Sequence, residues 1–132
     1  MRYLIDTQIL IWALISPEKL RARTINLLGA NDILVSQISL FEIAIKQKIG
    51  KLPELDIPIA DLAKQIKQDG FILLPLHNQH IETYDVIPIY PEHRDPFDRI
   101  LLATALSENI PILSADTNFK LYMPLIQIIM NS

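Results

Sequence analysis

The feature that most constrains the fold is a rhythm of short apolar runs, each followed or preceded by a stretch of helical character. The runs RYLI (2–5), DILVS (32–36), FILLP (71–75), IPILSAD (110–116) and PLIQII (124–129) are apolar on both faces. A strand with one wet face alternates apolar and polar residues, whereas one apolar on both sides has to be covered on both sides. Strands of this kind alternating with helices predict an α/β fold with a mainly parallel sheet of about five strands. Right-handed crossovers then lay helices on both faces, giving a three-layer α/β/α sandwich. The 132 residues suit one such domain, expected over residues 1–132.

Helix boundaries are read from capping residues and glycines. One helix is expected over residues 6–15. A second begins at Ser16 as cap with Pro17 in its first turn, runs to about Leu28 and stops near Gly29. SLFEIAIKQKIG (39–50) reads as a helix ended by Gly50, KLPELDI (51–57) as a connection, and residues 58–69 as a helix closed at Gly70. Residues 77–87 are expected to be helical and Pro88 to Pro91 to form a turn. HRDPFDRILLATAL (93–106) opens a helix running from Pro96 to about Glu108. Asp95 is its N-cap, and Ala103 and Ala105 are small enough to let it lie close to the sheet. TNFKLY (117–122) reads as a helical turn.

Half the residues are hydrophobic and a fifth are charged, which excludes a disordered chain. The apolar runs are too short to span a bilayer, so no membrane association is expected. The first run is interrupted by Asp6 and lacks a small-residue cleavage site, so no signal peptide is expected and a cytoplasmic location is the default. With no cysteine, a disulfide framework and a thiolate zinc site are both excluded. The net charge of −3 gives no global basic excess of the kind that tracks nucleic-acid phosphates. Basic residues cluster only locally, at Arg21 and Arg23, at Lys46, Lys48 and Lys51, and at Arg94 and Arg99.

Four of the 15 acidic residues fall at telling places. Asp6 follows the first strand, Asp116 follows the fourth, Asp98 opens the helix before the fourth, and Glu42 lies within the helix after the second. Each has an ordinary explanation. Asp6 and Asp116 stand where strand-to-helix turns favour a capping Asp. Asp98 suits the positive end of its helix dipole, and Glu42 completes a capping box with Ser39. Two arguments run the other way. Ile38, Glu42, Ile45 and Ile49 share one helical stripe, and a carboxylate on an apolar face is costly unless paired or bound to metal. In a parallel sheet, moreover, the carboxyl ends of the strands share one rim, and ligands bind in the crevice outside it. Carboxylates gathered there raise one another's pKa, and a divalent cation relieves the repulsion. All-oxygen ligation suits Mg²⁺ or Mn²⁺, whose natural chemistry is phosphoryl transfer with an activated water.

In order and spacing, YLIDTQILIWAL, SQISLFEIAIKQKIGKL, HRDPFDRILLATAL and ILSAD resemble the PIN-domain ribonucleases, and most closely the VapC-type toxins of bacterial toxin–antitoxin pairs. The resemblance spans nearly the whole chain. It implies an acidic quartet of Asp6, Glu42, Asp98 and Asp116 that holds Mg²⁺ or Mn²⁺ for hydrolysis of RNA phosphodiester bonds, without a covalent intermediate. It further implies that the hydroxyls of Thr7 and Ser114 orient a carboxylate or a metal-bound water. A cognate antitoxin is expected to cover the acidic groove, often through a basic side chain, and a homodimer is expected. The residue after the DT pair is often histidine in similar sequences, and here it is Gln8.

Asp95 is expected to cap its helix, with a part in the metal site as the lesser alternative. Arg94 and Arg99 are candidates to hold substrate phosphate or to pair with nearby acids. His77, His80 and His93 show no metal-ligand spacing and read as surface or loop residues. Three other readings compete. A haloacid-dehalogenase-like phosphatase would want a second Asp at position 8, and a receiver domain would want an acidic pair and a late lysine. A catalytically silent PIN-like binding module would show loss of an acid, and all four are present.

Overall fold

Successive side chains of a strand leave the sheet on opposite faces, and the five apolar runs use both. In a computed structural model describing residues 1–132, the strands are β1 (Arg2–Ile5), β2 (Asp32–Ser36), β3 (Ile72–Leu74), β4 (Ile112–Ser114) and β5 (Ile128–Met130). They form one sheet in the order β3-β2-β1-β4-β5, with every pairing parallel. Ile5, Ile33, Val35 and Leu113 point into one core; Leu4, Leu34, Ile112 and Ile128 point into another. That alternation explains why the strands carry no polar face.

The helices are α1 (Thr7–Ile15), α2 (Ala22–Ala30), α3 (Gln37–Lys48), α4 (Ile59–Gln68), α5 (Asn78–Thr83) and α6 (Pro96–Glu108). Single-turn 3₁₀ segments lie at 17–19 and 84–86, and a longer one at 117–122. Ile9 and Leu10 of α1, Ile43 of α3, and Leu62 and Ile66 of α4 fill the first core. Leu101, Leu102 and Ala105 of α6 fill the second with Phe119 and Tyr122. The three-layer α/β/α sandwich expected from the sequence is therefore the observed one. Ala103 and Ala105 are fully buried, consistent with close approach of α6 to the sheet. Gly50 and Gly70 take left-handed φ values of 73° and 91° just after α3 and α4. After Gly70, the Phe71 N–H reaches back to the Ile66 carbonyl, closing the helix end as such a glycine allows.

Two stretches depart from the sequence reading. The helix expected from Ser16 to Leu28 is split: Pro17–Lys19 form a 3₁₀ turn, Leu20 turns into the core, and α2 restarts at Ala22. No side chain caps α2, and its start is tied down from far along the chain, Asn131 Oδ1 accepting from the Arg21 N–H and the Thr24 hydroxyl, both at 2.8 Å. At its other end α2 runs through Gly29 to Ala30, where Asn31 Nδ2 donates to the Leu27 carbonyl at 3.0 Å. The last apolar run is strand only over Ile128–Met130, where it pairs with Ile112–Ser114. Its earlier part carries the chain round to that register and buries Ile126 in the second core.

Candidate active site

In this strand order the chain leaves β1 for β2 on one side, while β4 lies on the other, so the crevice opens at the carboxyl ends of β1 and β4. The Asp6 N–H donates to the Leu113 carbonyl at 3.0 Å, which brings the ends of the two strands together. Asp6, Glu42, Asp98 and Asp116 all line one pocket of about 270 Å³ there, together with Thr7, Asp95 and Lys46.

The cap and pocket explanations of these acids do not compete. Asp6 caps α1, its Oδ1 accepting from the Ile9 N–H at 2.8 Å, and its Oδ2 accepts from the Ser114 hydroxyl at 2.6 Å. Asp116 caps the 3₁₀ segment by accepting from the Asn118 N–H at 2.9 Å. Asp95 caps α6 through the Phe97 N–H and still lines the pocket. Capping fixes each backbone entry angle and thereby aims the carboxylate.

Glu42 is held differently. The capping box with Ser39 does not form: Ser36 is the N-cap of α3, and Ser39 is buried against Thr7, the hydroxyls 2.9 Å apart. Thr7 therefore touches no carboxylate, whereas Ser114 does. The isoleucine stripe is not the buried face either, since Ile49 is 58 % exposed and Ser39 and Ile43 point inward. The Glu42 side chain is nonetheless only 15 % exposed, with Oε2 3.5 Å from Lys46 Nζ. Its Oε1 is buried without a hydrogen-bond partner. An orphaned buried carboxylate oxygen is costly, and in a pocket of acids its natural complement is a cation.

Burial and mutual repulsion set the charges. Asp6 is pushed up to about 7, first by desolvation and further by the charge of Asp98. Asp98 is pushed up to about 6 by desolvation and by Asp95 and Glu42, against the pull of a hydrogen bond from His93. Lys46 is the one cation lining the pocket. Hard oxygen donors, a free buried oxygen and uncompensated acids fit a divalent cation such as Mg²⁺ or Mn²⁺.

Several residues fall elsewhere than expected. Arg99 is buried and does not line the pocket. Its guanidinium donates to the Tyr84 hydroxyl and to the Ile87 carbonyl at 2.8 Å, tying α6 to the 84–88 segment. Arg94 is exposed and without an ion pair. His80 and His93 are buried rather than surface residues. His93 Nε2 lies 2.9 Å from Asp98 Oδ2 and its Nδ1 2.8 Å from the Tyr122 hydroxyl. No local pattern marks His93 as buried, because its cover comes from Phe119 and Tyr122, far along the chain.

Residues 3–122 match the PIN domain family, and the chain belongs to it. Proteins of this family are generally nucleases. No curated protein sequence matches the chain. Among solved structures, it is similar to VapBC2 from Rickettsia felis bound to a promoter DNA fragment, with 17 % identity, a TM-score of 0.74 and all of both chains covered. It is also similar to DNA-bound VapBC from Salmonella typhimurium, at 16 % identity and a TM-score of 0.70, covering 100 % of this chain and 99 % of that one. FitAcB from Neisseria gonorrhoeae gives 18 % identity and a TM-score of 0.62 over 96 % of each chain. At these identities the likeness is one of fold.

Proposed function

We propose that this chain is a Mg²⁺- or Mn²⁺-dependent endoribonuclease, the toxin of a VapC-type toxin–antitoxin pair. One observation carries the reading: four carboxylates from four separate segments converge on one pocket, and one of them keeps a buried, unpartnered oxygen. Asp6, Glu42, Asp98 and Asp116 would hold the cation, which when bound supplies an activated water and neutralises developing phosphate charge. Ser114 fixes Asp6 by donating to it, and Asp95 sets the first turn of α6 from which Asp98 projects. Lys46 lines the acidic pocket and would meet a substrate phosphate there, with exposed Arg94, the neighbour in sequence of pocket-lining Asp95, as a second candidate cation.

Beyond Trp12 and Ala115 the pocket continues into a groove of about 690 Å³ that also carries Lys19 and Arg21. A single RNA strand could lie along it, with a base against Trp12 and phosphates near the cations. Trp12 is the only tryptophan of the chain, so its fluorescence reads occupancy directly. RNA added to Asp98→Asn protein without metal should change Trp12 emission saturably, and less at high salt.

The antitoxin reading draws support from the solved neighbours, which are toxin–antitoxin assemblies. A basic side chain of such a partner would complement the acidic pocket. Homodimerisation has a candidate surface in Phe41, which is exposed and packs edge-on against Phe97 at 5.9 Å. The deciding experiment is cleavage of RNA by antitoxin-free protein loaded with Mg²⁺ or Mn²⁺, wild type beside Asp98→Asn. Equal cleavage by both would remove Asp98 from the mechanism. Absence of cleavage by metal-loaded wild type would favour a binding module.

A further inference from the structure

We propose that Tyr122 and His93 form a positioning chain for Asp98, holding one carboxylate oxygen so that the other serves the pocket; this rests on the metal-dependent reading above. His93 is 5 % exposed and wedged between aromatic rings, its centroid 5.7 Å from Phe119 and 5.6 Å from Tyr122. Its backbone N–H donates to the Tyr90 carbonyl at 3.1 Å, so main chain and ring are both held.

The direction of the chain follows from donor chemistry. An ionised carboxylate only accepts, so His93 Nε2 carries the proton donated to Asp98 Oδ2. Nδ1 then has a lone pair, and the Tyr122 hydroxyl donates to it. Asp χ2 is a broad torsion that a free side chain samples widely. With Oδ2 tied down, that freedom is removed, and Oδ1, which takes no hydrogen bond, is left to the pocket that Asp98 lines. The hydrogen bond from His93 also opposes the upward push that burial exerts on Asp98.

His93 Nε2 and carboxylate oxygens of Asp98 and Asp116 lie within 4.8 Å of one another, which could suggest the histidine as a ligand. The proton directed at Asp98 occupies the lone pair such a ligand needs, so the role is positioning. One 3₁₀ segment serves both acids: its cap is Asp116, and its last residue is Tyr122.

The test is Mn²⁺ binding to the full chain, read by the electron-spin resonance of free Mn²⁺ and by calorimetry, with folding checked by thermal melting. His93→Phe keeps a ring but removes both hydrogen bonds, and should bind Mn²⁺ about 10- to 100-fold more weakly. Tyr122→Phe should lose about threefold to tenfold. The amide of His93→Gln can donate to Asp98 and accept from Tyr122, and should stay within about threefold of wild type. Wild-type affinity in folded His93→Phe overturns the proposal, as does a His93→Gln loss equal to that of His93→Phe. If His93→Phe does not fold, Tyr122→Phe decides: weakened binding supports the chain and unchanged binding overturns it. Asp98→Asn separates the two levels. Strong binding by wild type, weak binding by Asp98→Asn and no effect at His93 sinks the positioning chain alone. No binding by wild type removes the metal reading and the chain with it.

Discussion

At each end of α6 a buried histidine is bonded to a carboxylate, yet the two ends have opposite electrical settings. At the start, His93 meets Asp98 at 2.9 Å among Asp95, Asp116 and Glu42, and the acid is pushed up. At the far end, fully buried His80 meets Glu108 at 2.9 Å with Arg2 3.3 Å away, and the acid is pulled down. The largest cause there is the hydrogen bond from His80, with Arg2 adding to it. A carboxylate ringed by donors and a cation is satisfied and secures α5, α6 and β1. One ringed by other carboxylates is left wanting a cation. A buried histidine on a carboxylate thus serves stability at one end and a site at the other.

The comparison can be broken most directly by exchanging the losses. Asp98→Asn should lower metal-dependent RNA cleavage by about 10²–10³-fold. Glu108→Ala, normalised to folded protein, should leave the cleavage rate within about twofold, because the two ends share no partners. A large activity loss from Glu108→Ala at full folding would erase the distinction.

pH separates the ends next. Asp6 and Asp98 must lose protons to bind a cation, so Mn²⁺ affinity should rise from pH 5.5 to 8 and level off above about 7. Calorimetry in buffers of different ionisation enthalpy should show proton release at pH 6 and little at pH 8. The Glu108 pair behaves in the opposite sense. A depressed acid contributes stability that is complete above its unfolded value of 4.5 and is lost as pH falls through the lower folded value. Melting temperature should therefore show that loss only below the window in which metal binding changes.

Two substitutions should move stability in opposite directions. Asn at position 6 can still accept from the Ile9 N–H through Oδ1, its Nδ2 can donate to the Ser114 hydroxyl oxygen, and it removes a buried charge. Asp6 has a raised pKa, so its favourable contribution is complete below 3.8 and is lost as pH rises towards 7. Metal-free Asp6→Asn should thus melt about 5 °C or more above wild type at pH 8, with the gap narrowing as the pH falls to 5. Glu108→Ala leaves the His80 Nε2–H buried without an acceptor and should cost about 1–3 kcal/mol in urea unfolding. The sharper the contrast in sign, the more firmly the acids at the rim are marked as function held against stability.

Much of this was legible because it is local. Strand–helix alternation, Gly50 and Gly70 as stops, Asp95 and Pro96 as a helix start, and Ala103 and Ala105 as the close face of α6 depend on neighbours within a few residues. The rim position of the acids followed from parallel topology alone. What escaped depends on groups distant in sequence. Asn131 ties down the start of α2 from across the fold, so no local cap marks its beginning at Arg21. Ser39 bonds Thr7 rather than boxing with Glu42, because α1 lies against α3. Arg99 follows the pocket acid Asp98, yet its guanidinium goes to the Tyr84 hydroxyl and the Ile87 carbonyl.

By itself the sequence determined which segments are strands and helices, that the sheet is parallel and doubly covered, and that acids stand at the strand ends. These follow from side-chain periodicity and backbone capping, which act over one or two turns. Only the tertiary structure decided which acid oxygens are tied and which are free. It also decided that Ser114 rather than Thr7 holds a carboxylate, and that one buried histidine holds a pocket acid while another secures the opposite end of α6. Those outcomes turn on distances of about 3 Å between groups as far apart in sequence as Asp6 and Ser114. No periodicity encodes such distances, because hydrogen bonding is directional and short-ranged and packing alone brings the partners together.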